Sequence, residues 1–92
     1  MNEAQPITLV EFFATWCPHC MRMMPVVEDI KSLFAGQIKV AQLDIDKYSQ
    51  AAEEAGVDAT PTFILYVGDQ EVWRQAGEME ASQLANAIRS VL

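Results

Sequence analysis

One segment of the sequence, Ile7–Ala14, constrains the fold more strongly than any other. It reads ITLVEFFA, a nearly continuous apolar run that is rich in β-forming residues. A run of this length and composition is typical of a central strand that is buried on both faces. Because such a strand requires cover on both sides of its sheet, the chain is predicted to be an α/β protein.

The remaining periodicities predict three further strands and three helices. Helix-spaced apolar residues run from Cys17 to Phe34, and an amphipathic helix is predicted from Ala81 to Leu92. The other predicted elements are a strand at 38–45, a short helix at 48–55, a strand at 62–67 and, after a turn at 68–70, a strand at 71–76. The order β-α-β-α-β-β-α predicts a four-stranded mixed sheet with helices on both faces. No repeat or linker divides the sequence, so residues 1–92 are predicted to form a single domain.

Charge and hydropathy exclude several classes of partner. The formal net charge of −7 argues against nucleic acid and anionic membranes, because both are bound through Lys and Arg. The apolar stretches, such as Phe63–Val67, are far shorter than the roughly 20 residues of a membrane span. The first residues, MNEAQPITLVEFF, lack the basic start and cleavage pattern of a secretory signal. We therefore expect a cytoplasmic monomer, or a chain from which a leader has been trimmed.

The chemistry is predicted at Cys17 and Cys20, the only cysteines of the sequence. A Cys-X-X-Cys pair that follows a strand and opens a helix, beside a βαβ pattern, indicates redox chemistry. Free N–H groups and the helix dipole stabilise an anion there, so the pKa of Cys17 is expected below the ~8.5 of a free cysteine. Cys20 lies one turn later and is placed to attack a mixed disulfide on Cys17. We therefore assign Cys17 as the nucleophile and Cys20 as the resolving thiol.

A zinc site is the other use that such a pair could have. A closed structural zinc site takes four ligands, whereas this sequence offers the two thiols and His19, which lies between them. We therefore expect no metal. No other cofactor is expected either, because the exchanged electrons reside in the two sulfurs.

Three methionines and a tryptophan surround the cysteine pair. At helical spacing, Met23 and Met24 are expected in the core. Met21 lies next to the active site and is expected to contact partners, since methionine adapts to varied surfaces. Trp16 precedes the nucleophile and is expected to shield it as an apolar lid.

The sequence resembles the thioredoxin family over nearly its whole length. The resemblance runs from VEFFATWCPHCMRMMP through VAQLDID to ATPTFILYVGDQ and the later Gly77. It implies a four-stranded form of the thioredoxin-like fold with a redox-active Cys17–Cys20 disulfide. It also implies that Pro61 is cis and faces the disulfide, and that Thr60 pairs its backbone groups with the bound substrate. Pro18 and Gly77 are the other residues expected at the substrate-binding surface, together with Trp16 and Met21.

The dipeptide between the cysteines departs from the family pattern. It is Pro-His, where thioredoxins usually have Gly-Pro, and it resembles that of the periplasmic disulfide oxidants of the same superfamily. Pro18 leaves the His19 backbone N–H free to bond to the Cys17 sulfur, and the imidazole also favours a neighbouring thiolate. We therefore expect His19 to lower the pKa of Cys17, which makes the protein less reducing than a Gly-Pro thioredoxin.

Glu11 is the second site of interest, because it interrupts an otherwise apolar strand and is expected to be largely buried. A buried carboxylate without a partner has a raised pKa and can hold or pass a proton. The family has an aspartate at this position, which implies that Glu11 transfers protons to and from the resolving cysteine. The family's lysine partner is replaced here by Gln42, so that electrostatic partner is expected to be missing.

The leading hypothesis is a thiol–disulfide oxidoreductase that reduces protein disulfides. The resemblance implies a flavin-containing reductase as the partner that restores the dithiol. Two alternatives remain open: a disulfide donor or isomerase of the same fold, and a non-catalytic metal-binding or adaptor domain. Measuring the reduction potential of the cysteine pair distinguishes the leading hypothesis from a disulfide donor or isomerase. Measuring the metal content of the purified protein, together with an insulin-reduction assay, distinguishes it from a metal-binding or adaptor domain.

Overall fold

The computed structural model describes residues 5–92. Its elements, in chain order, are β1 (Ile7–Phe13), α1 (Pro18–Leu33), β2 (Lys39–Asp44), α2 (Ser49–Glu54), β3 (Thr62–Val67), β4 (Gln70–Ala76) and α3 (Ala81–Arg89). This order is the one predicted, and the ends of the elements differ from the predicted ends by at most three residues.

The sheet has the strand order β2-β1-β3-β4. β1 pairs with β2 in parallel and with β3 antiparallel, and β3 forms an antiparallel hairpin with β4. The sheet is therefore mixed, with β1 inside it, as the apolar run of that segment predicts.

Helices cover both faces of the sheet. On one face, Leu9 of β1 packs in a cluster with Val27 of α1 and with Leu84 and Ile88 of α3. On the other face, Phe12 and Ile64 pack with Ala52 of α2. Successive side chains of a strand point to opposite faces, so β1 contributes to both clusters. The α/β fold with two helical layers is confirmed.

Met24 corrects the expectation that two methionines of α1 lie in the core. The buried residues of this helix are Cys20, Met23, Val27 and Ile30, which follow the spacing of three and four residues expected of one helical face. Met24 is rotated about 100° from Met23 around the helix axis, so it points away from this face. Its side chain is accordingly exposed.

The longest helix, α1, has 16 residues. Within residues 5–92, no helix combines the length and the apolar character that crossing a bilayer requires.

Candidate active site

Cys17 lies where the connection from β1 enters α1. It is the N-cap residue of α1, and Pro18 occupies the first turn, where the N–H that proline lacks has no intrahelical partner. The Cys17 Sγ accepts a hydrogen bond from the backbone N–H of Cys20 over 3.4 Å. Both cysteines are buried. The Cys17 sulfur therefore sits at the positive end of the helix dipole, where an anion is stabilised.

A loop from later in the chain reaches this sulfur, and a second loop is hydrogen-bonded to the first. The Cys17 Sγ lies 3.5 Å from the Thr60 carbonyl oxygen. The Thr60–Pro61 peptide bond is cis, as the resemblance implies, and the Pro61 side chain is fully buried. The Gly77 N–H donates to the Pro61 carbonyl over 2.8 Å. The fold thus brings Thr60 to the Cys17 sulfur, and Gly77 is hydrogen-bonded to Pro61, the residue that follows Thr60.

The two thiols have very different proton affinities. Burial raises the pKa of Cys17, but hydrogen bonds from the Thr60 side chain, from Cys20 and from the His19 backbone N–H lower it to about 7. Burial raises the pKa of Cys20 to about 11, and its contact with Cys17 acts in the same direction. Cys17 is therefore the thiol that ionises first.

His19 acts on Cys17 through its backbone, while its ring lies elsewhere. The imidazole Nδ1 is 2.6 Å from Glu78 Oε2. The Arg22 guanidinium donates to the same carboxylate over 3.0 Å from Nε and 2.8 Å from Nη2. The hydrogen bonds from Arg22 and then His19 lower the pKa of Glu78 to about 2. The expected N–H contribution to the Cys17 pKa is present, but the expected imidazole is turned to Glu78.

Exposed apolar side chains flank the buried thiols. Trp16 is 67% exposed, and its Nε1–H donates to Asp46 Oδ2 over 3.1 Å. Met21 is 56% exposed on the first turns of α1, and Pro18 is also exposed. These side chains are therefore accessible to a partner that approaches the sulfurs.

Glu11 is buried in the middle of β1, as expected, with only 3% of its surface exposed. It does have a partner, because the Gln42 Nε2 donates to its Oε1 over 3.0 Å. Burial raises the pKa of Glu11, whereas this hydrogen bond and the charge of Lys31 oppose the increase. The position of the family lysine is therefore filled by Gln42, which is a neutral donor, as the sequence indicates.

A cleft of about 440 Å³ is lined by both Glu11 and Cys20. Its walls include Glu11, Cys20, Gln42, Met21 and Met24. A cleft of this size with polar groups has room for water molecules, which could carry a proton between the carboxyl and the thiol.

Metal ligation is a separate question, which the side-chain geometry addresses. Among residues 5–92, no three His, Cys, Asp or Glu side chains come together as ligands of one ion would. His19, the third candidate ligand beside the two thiols, contacts Glu78.

Sequence reasoning missed three charged residues that the fold brings to the site, namely Arg22, Lys31 and Glu78. Arg22 and Glu78 are 56 positions apart, and no periodicity links them. For Lys31, the spacing indicates only the local pair with Glu28, three residues earlier on the same helix.

Comparison with known proteins gives a consistent result. The family model described as Thioredoxin matches residues 1–90. The chloroplastic thioredoxin Y of Oryza sativa subsp. japonica is 32% identical over 92 residues, covering the whole chain and 55% of that protein. A bifunctional thioredoxin reductase/thioredoxin of Mycobacterium leprae is 39% identical over 92 residues, again covering the whole chain but 20% of that protein. The X-ray structure of Fasciola hepatica thioredoxin has a TM-score of 0.89 at 30% identity, covering 97% of this chain and 84% of that one. The chain thus spans about half the length of the rice relative.

Proposed function

Because the chain belongs to the thioredoxin family, we propose that it is a thiol–disulfide oxidoreductase that reduces protein disulfides through Cys17 and Cys20. The observation that carries this proposal is the placement of the pair, with the Cys17 sulfur at the N-cap of α1, where it accepts from the Cys20 N–H over 3.4 Å. In this setting the pKa of Cys17 is lowered to about 7, whereas burial raises that of Cys20 to about 11. Cys17 therefore ionises near neutral pH, while Cys20 keeps its proton. Cys17 can thus act as a nucleophile near neutral pH, whereas Cys20 stays protonated.

The first step joins Cys17 to the target. The Cys17 thiolate attacks one sulfur of a target disulfide, and the target S–S bond breaks as the new S–S bond forms. The other target sulfur leaves as a thiolate and takes a proton from solvent. The product is a mixed disulfide at the N-terminus of α1.

The second step releases the target. Cys20 gives its proton to the Glu11 carboxylate through the shared cleft, and its sulfur attacks the Cys17 Sγ. The mixed disulfide breaks, and the second target sulfur leaves as a thiolate with the electron pair. This thiolate takes up a proton from solvent, and Glu11 later returns the proton of Cys20 to solvent. The balance is one target disulfide and one protein dithiol converted into a target dithiol and a Cys17–Cys20 disulfide. Its raised pKa makes Glu11 a better proton acceptor than an exposed carboxylate.

We assign the substrate-binding surface to the groups that surround the Cys17 sulfur. The Thr60 carbonyl lies 3.5 Å from it, Pro61 follows Thr60 in the chain, and the Gly77 N–H donates to the Pro61 carbonyl. Trp16, Pro18 and Met21 are exposed beside it. In this arrangement a target chain lies along Thr60 and contacts the apolar side chains, which favours disulfides flanked by apolar residues.

A flavin-containing thioredoxin reductase is the proposed electron donor. The fusion of a reductase with a thioredoxin in the Mycobacterium leprae relative supports this pairing. The chain itself binds no cofactor in this scheme and works as a monomer. A cytoplasmic location fits a protein whose dithiol must be restored after every turnover.

We further propose that the Pro-His dipeptide makes the pair less reducing than that of a Gly-Pro thioredoxin. The His19 N–H is among the groups that lower the pKa of Cys17, and stabilising the thiolate stabilises the reduced form. Reference potentials of about −270 mV for thioredoxin and about −120 mV for a periplasmic oxidant bracket the value expected. The Pro-His dipeptide also favours the second candidate function, a disulfide donor or isomerase. A reduction potential near about −120 mV would support that function.

Insulin reduction with cysteine variants tests the proposal. The wild-type protein should reduce insulin, and both Cys17→Ser and Cys20→Ser should abolish turnover. Cys20→Ser should accumulate a covalent mixed disulfide with the target, whereas Cys17→Ser should not. Trapping by Cys17→Ser instead would reverse the roles. Tightly bound zinc together with no insulin reduction by the wild type would favour the metal-binding or adaptor alternative.

A further inference from the structure

A row of three polar side chains leads from the buried Glu11 carboxyl to the protein surface. The Gln42 Nε2 donates to Glu11 Oε1 over 3.0 Å, and the Lys31 Nζ donates to Gln42 Oε1 over 2.8 Å. Lys31 lies near the end of α1, the helix that carries Cys20, and it also contacts Glu28 over 3.1 Å. The row therefore joins β1, β2 and the active-site helix.

We propose that Lys31 and Gln42 are positioning residues for proton transfer at Glu11. Lys31 holds the Gln42 amide with its NH2 group toward Glu11, and this keeps Glu11 in the carboxylate form that accepts the proton of Cys20. The inference rests on the proposed function, because it concerns the step in which Cys20 resolves the mixed disulfide.

The two ends of the Gln42 amide have opposite effects on Glu11. The NH2 group can only donate, so it stabilises the carboxylate, whereas the amide oxygen can only accept and would stabilise the protonated acid. A lysine ammonium has donors alone, so its contact requires the amide oxygen on the Lys31 side. Lys31 thereby selects the orientation of Gln42 that favours an ionised Glu11. Its positive charge acts in the same direction.

The elements packed around Glu11 offer few other groups that titrate. From α1, Cys20 shares the cleft with Glu11, and Lys31 acts through Gln42 with Glu28 beyond it. The register partners of Glu11 are Gln42 on β2 and Phe63 on β3, and neither of them titrates. Lys31 is therefore the cation that opposes the effect of burial on Glu11.

An aromatic disulfide whose leaving thiolate absorbs visible light separates the two chemical steps. Attack by Cys17 releases the first thiolate, and resolution by Cys20 releases the second, so a single mixing experiment shows two phases. In Lys31→Met the second phase should slow on the acid side, with its pH midpoint moved to higher pH, while the first phase is unchanged. Lys31→Arg keeps the charge and the donors and should restore the wild-type profile. NMR of the Glu11 carboxyl carbon should show its pKa raised in Lys31→Met.

Two further variants distinguish a role through Gln42 from a simple effect of charge. Lys39→Met removes the same charge from β2, at a position in register with Thr8, and should leave the second phase unchanged. Gln42→Leu should shift the second phase like Lys31→Met, and the double variant should shift it little further. Equal shifts in Lys39→Met, or fully additive shifts in the double variant, would overturn the proposal. So would a second phase that Lys31→Met leaves unshifted. If the wild type releases only one thiolate, the proposed function fails and the inference with it.

Discussion

At the scale of single side chains, Cys17 and Cys20 have different pKa values although they lie within one turn of the same helix. Cys17 is the N-cap, where the N–H groups of His19 and Cys20 and the side chain of Thr60 lower its pKa to about 7. Cys20 lies within that first turn, where burial raises its pKa to about 11. In the proposed mechanism, this difference in pKa lets Cys17 act as the nucleophile and Cys20 as the resolving thiol, and the first step needs no neighbouring base.

Because the His19 ring contacts Glu78, we predict that the His19 backbone N–H, and not its imidazole, lowers the pKa of Cys17. Changing Pro18-His19 to Gly-Pro places a residue without an N–H at position 19, so the pKa of Cys17 should rise above about 7. His19→Asn keeps that N–H and removes a ring that contacts Glu78, so it should leave the pKa of Cys17 nearly unchanged. Ultraviolet titration of the thiolate measures both. An equal rise in His19→Asn would return the role to the imidazole.

The same Gly-Pro variant should be a stronger reductant. Each unit by which the Cys17 pKa rises corresponds to about 1.4 kcal/mol of lost thiolate stabilisation. For a two-electron couple this lowers the reduction potential by about 30 mV, at a pH above the Cys17 pKa of both the parent and the variant. At pH 7 the change in potential should be smaller, because the pKa of Cys17 in the parent protein is about 7 and the thiol is only partly ionised there. A glutathione redox titration at two pH values checks both the direction and the pH dependence. A potential that stays constant would contradict the link between the thiolate and the reduced form.

Glu11 carries a predicted cost in stability. The pKa of Glu11 is raised in the folded state, so its contribution to stability is complete below the unfolded pKa and is lost as pH rises through the folded value. Glu11→Gln does not titrate and keeps an oxygen for the Gln42 amide. Its free energy of unfolding should therefore exceed that of the wild type at neutral pH, with the difference shrinking toward about pH 4.

Urea unfolding at several pH values measures this difference. Glu53→Gln is a suitable control, because Glu53 lies exposed on α2 and the substitution removes the same formal charge. An equal gain in both variants would assign the effect to net charge rather than to burial of Glu11.

At the scale of elements, local pattern was sufficient for the strands and helices but not for their mutual contacts. The apolar run of β1 and the 3.6-residue spacing of α1 reflect burial within one element, so the sequence alone predicts them. The contact of Gln42 with Lys31 depends on how β2 lies against α1, and that of His19 with Glu78 spans 59 positions. Such contacts depend on how separate elements pack against one another, and the periodicity of apolar residues within one element does not predict that packing. The thiol pair was therefore predictable and its charged surroundings were not.

Gly77 joins the loop after β4 to the cis-proline loop, and it permits a matched comparison. Its φ is +96°, and that of Gly36, just after α1, is +79°. A Cβ at either position would meet open space, so alanine should cost each site only backbone strain, about 1–2 kcal/mol. Gly77→Ala should in addition raise the KM for protein disulfides. About 1 kcal/mol of lost binding corresponds to about a fivefold increase.

Urea denaturation and insulin-reduction kinetics on the two variants test this comparison. Gly36→Ala should match Gly77→Ala in stability but keep the wild-type KM. If both variants change KM equally, Gly77 contributes to the fold alone and not to the substrate-binding surface.

At the scale of the whole molecule, charge is the property that acts beyond the active site. The formal net charge is −7. Charged residues of both signs contact the residues beside the thiols or one another, with Arg22 paired with Glu78 and Asp46 hydrogen-bonded to Trp16. Local charges around the sulfurs thus partly compensate one another. The net field of the protein is what a small charged substrate meets as it approaches.

This field predicts that salt should affect cationic and anionic disulfides in opposite ways. The net charge of −7 attracts a small diamine disulfide and repels a small dicarboxylate disulfide, and screening weakens both effects. The Debye length is about 10 Å at 0.1 M salt and about 3 Å at 1 M. Between these conditions, the rate of Cys17 attack should fall for the diamine and rise for the dicarboxylate. The control is the rate at which a small uncharged dithiol reduces the same two disulfides. The chemistry of the leaving thiolate affects the protein and the small dithiol alike, whereas the electrostatic field of the protein affects only the protein reaction. If the protein shows the same salt dependence as the dithiol, target choice depends on the groups around Cys17 rather than on net charge.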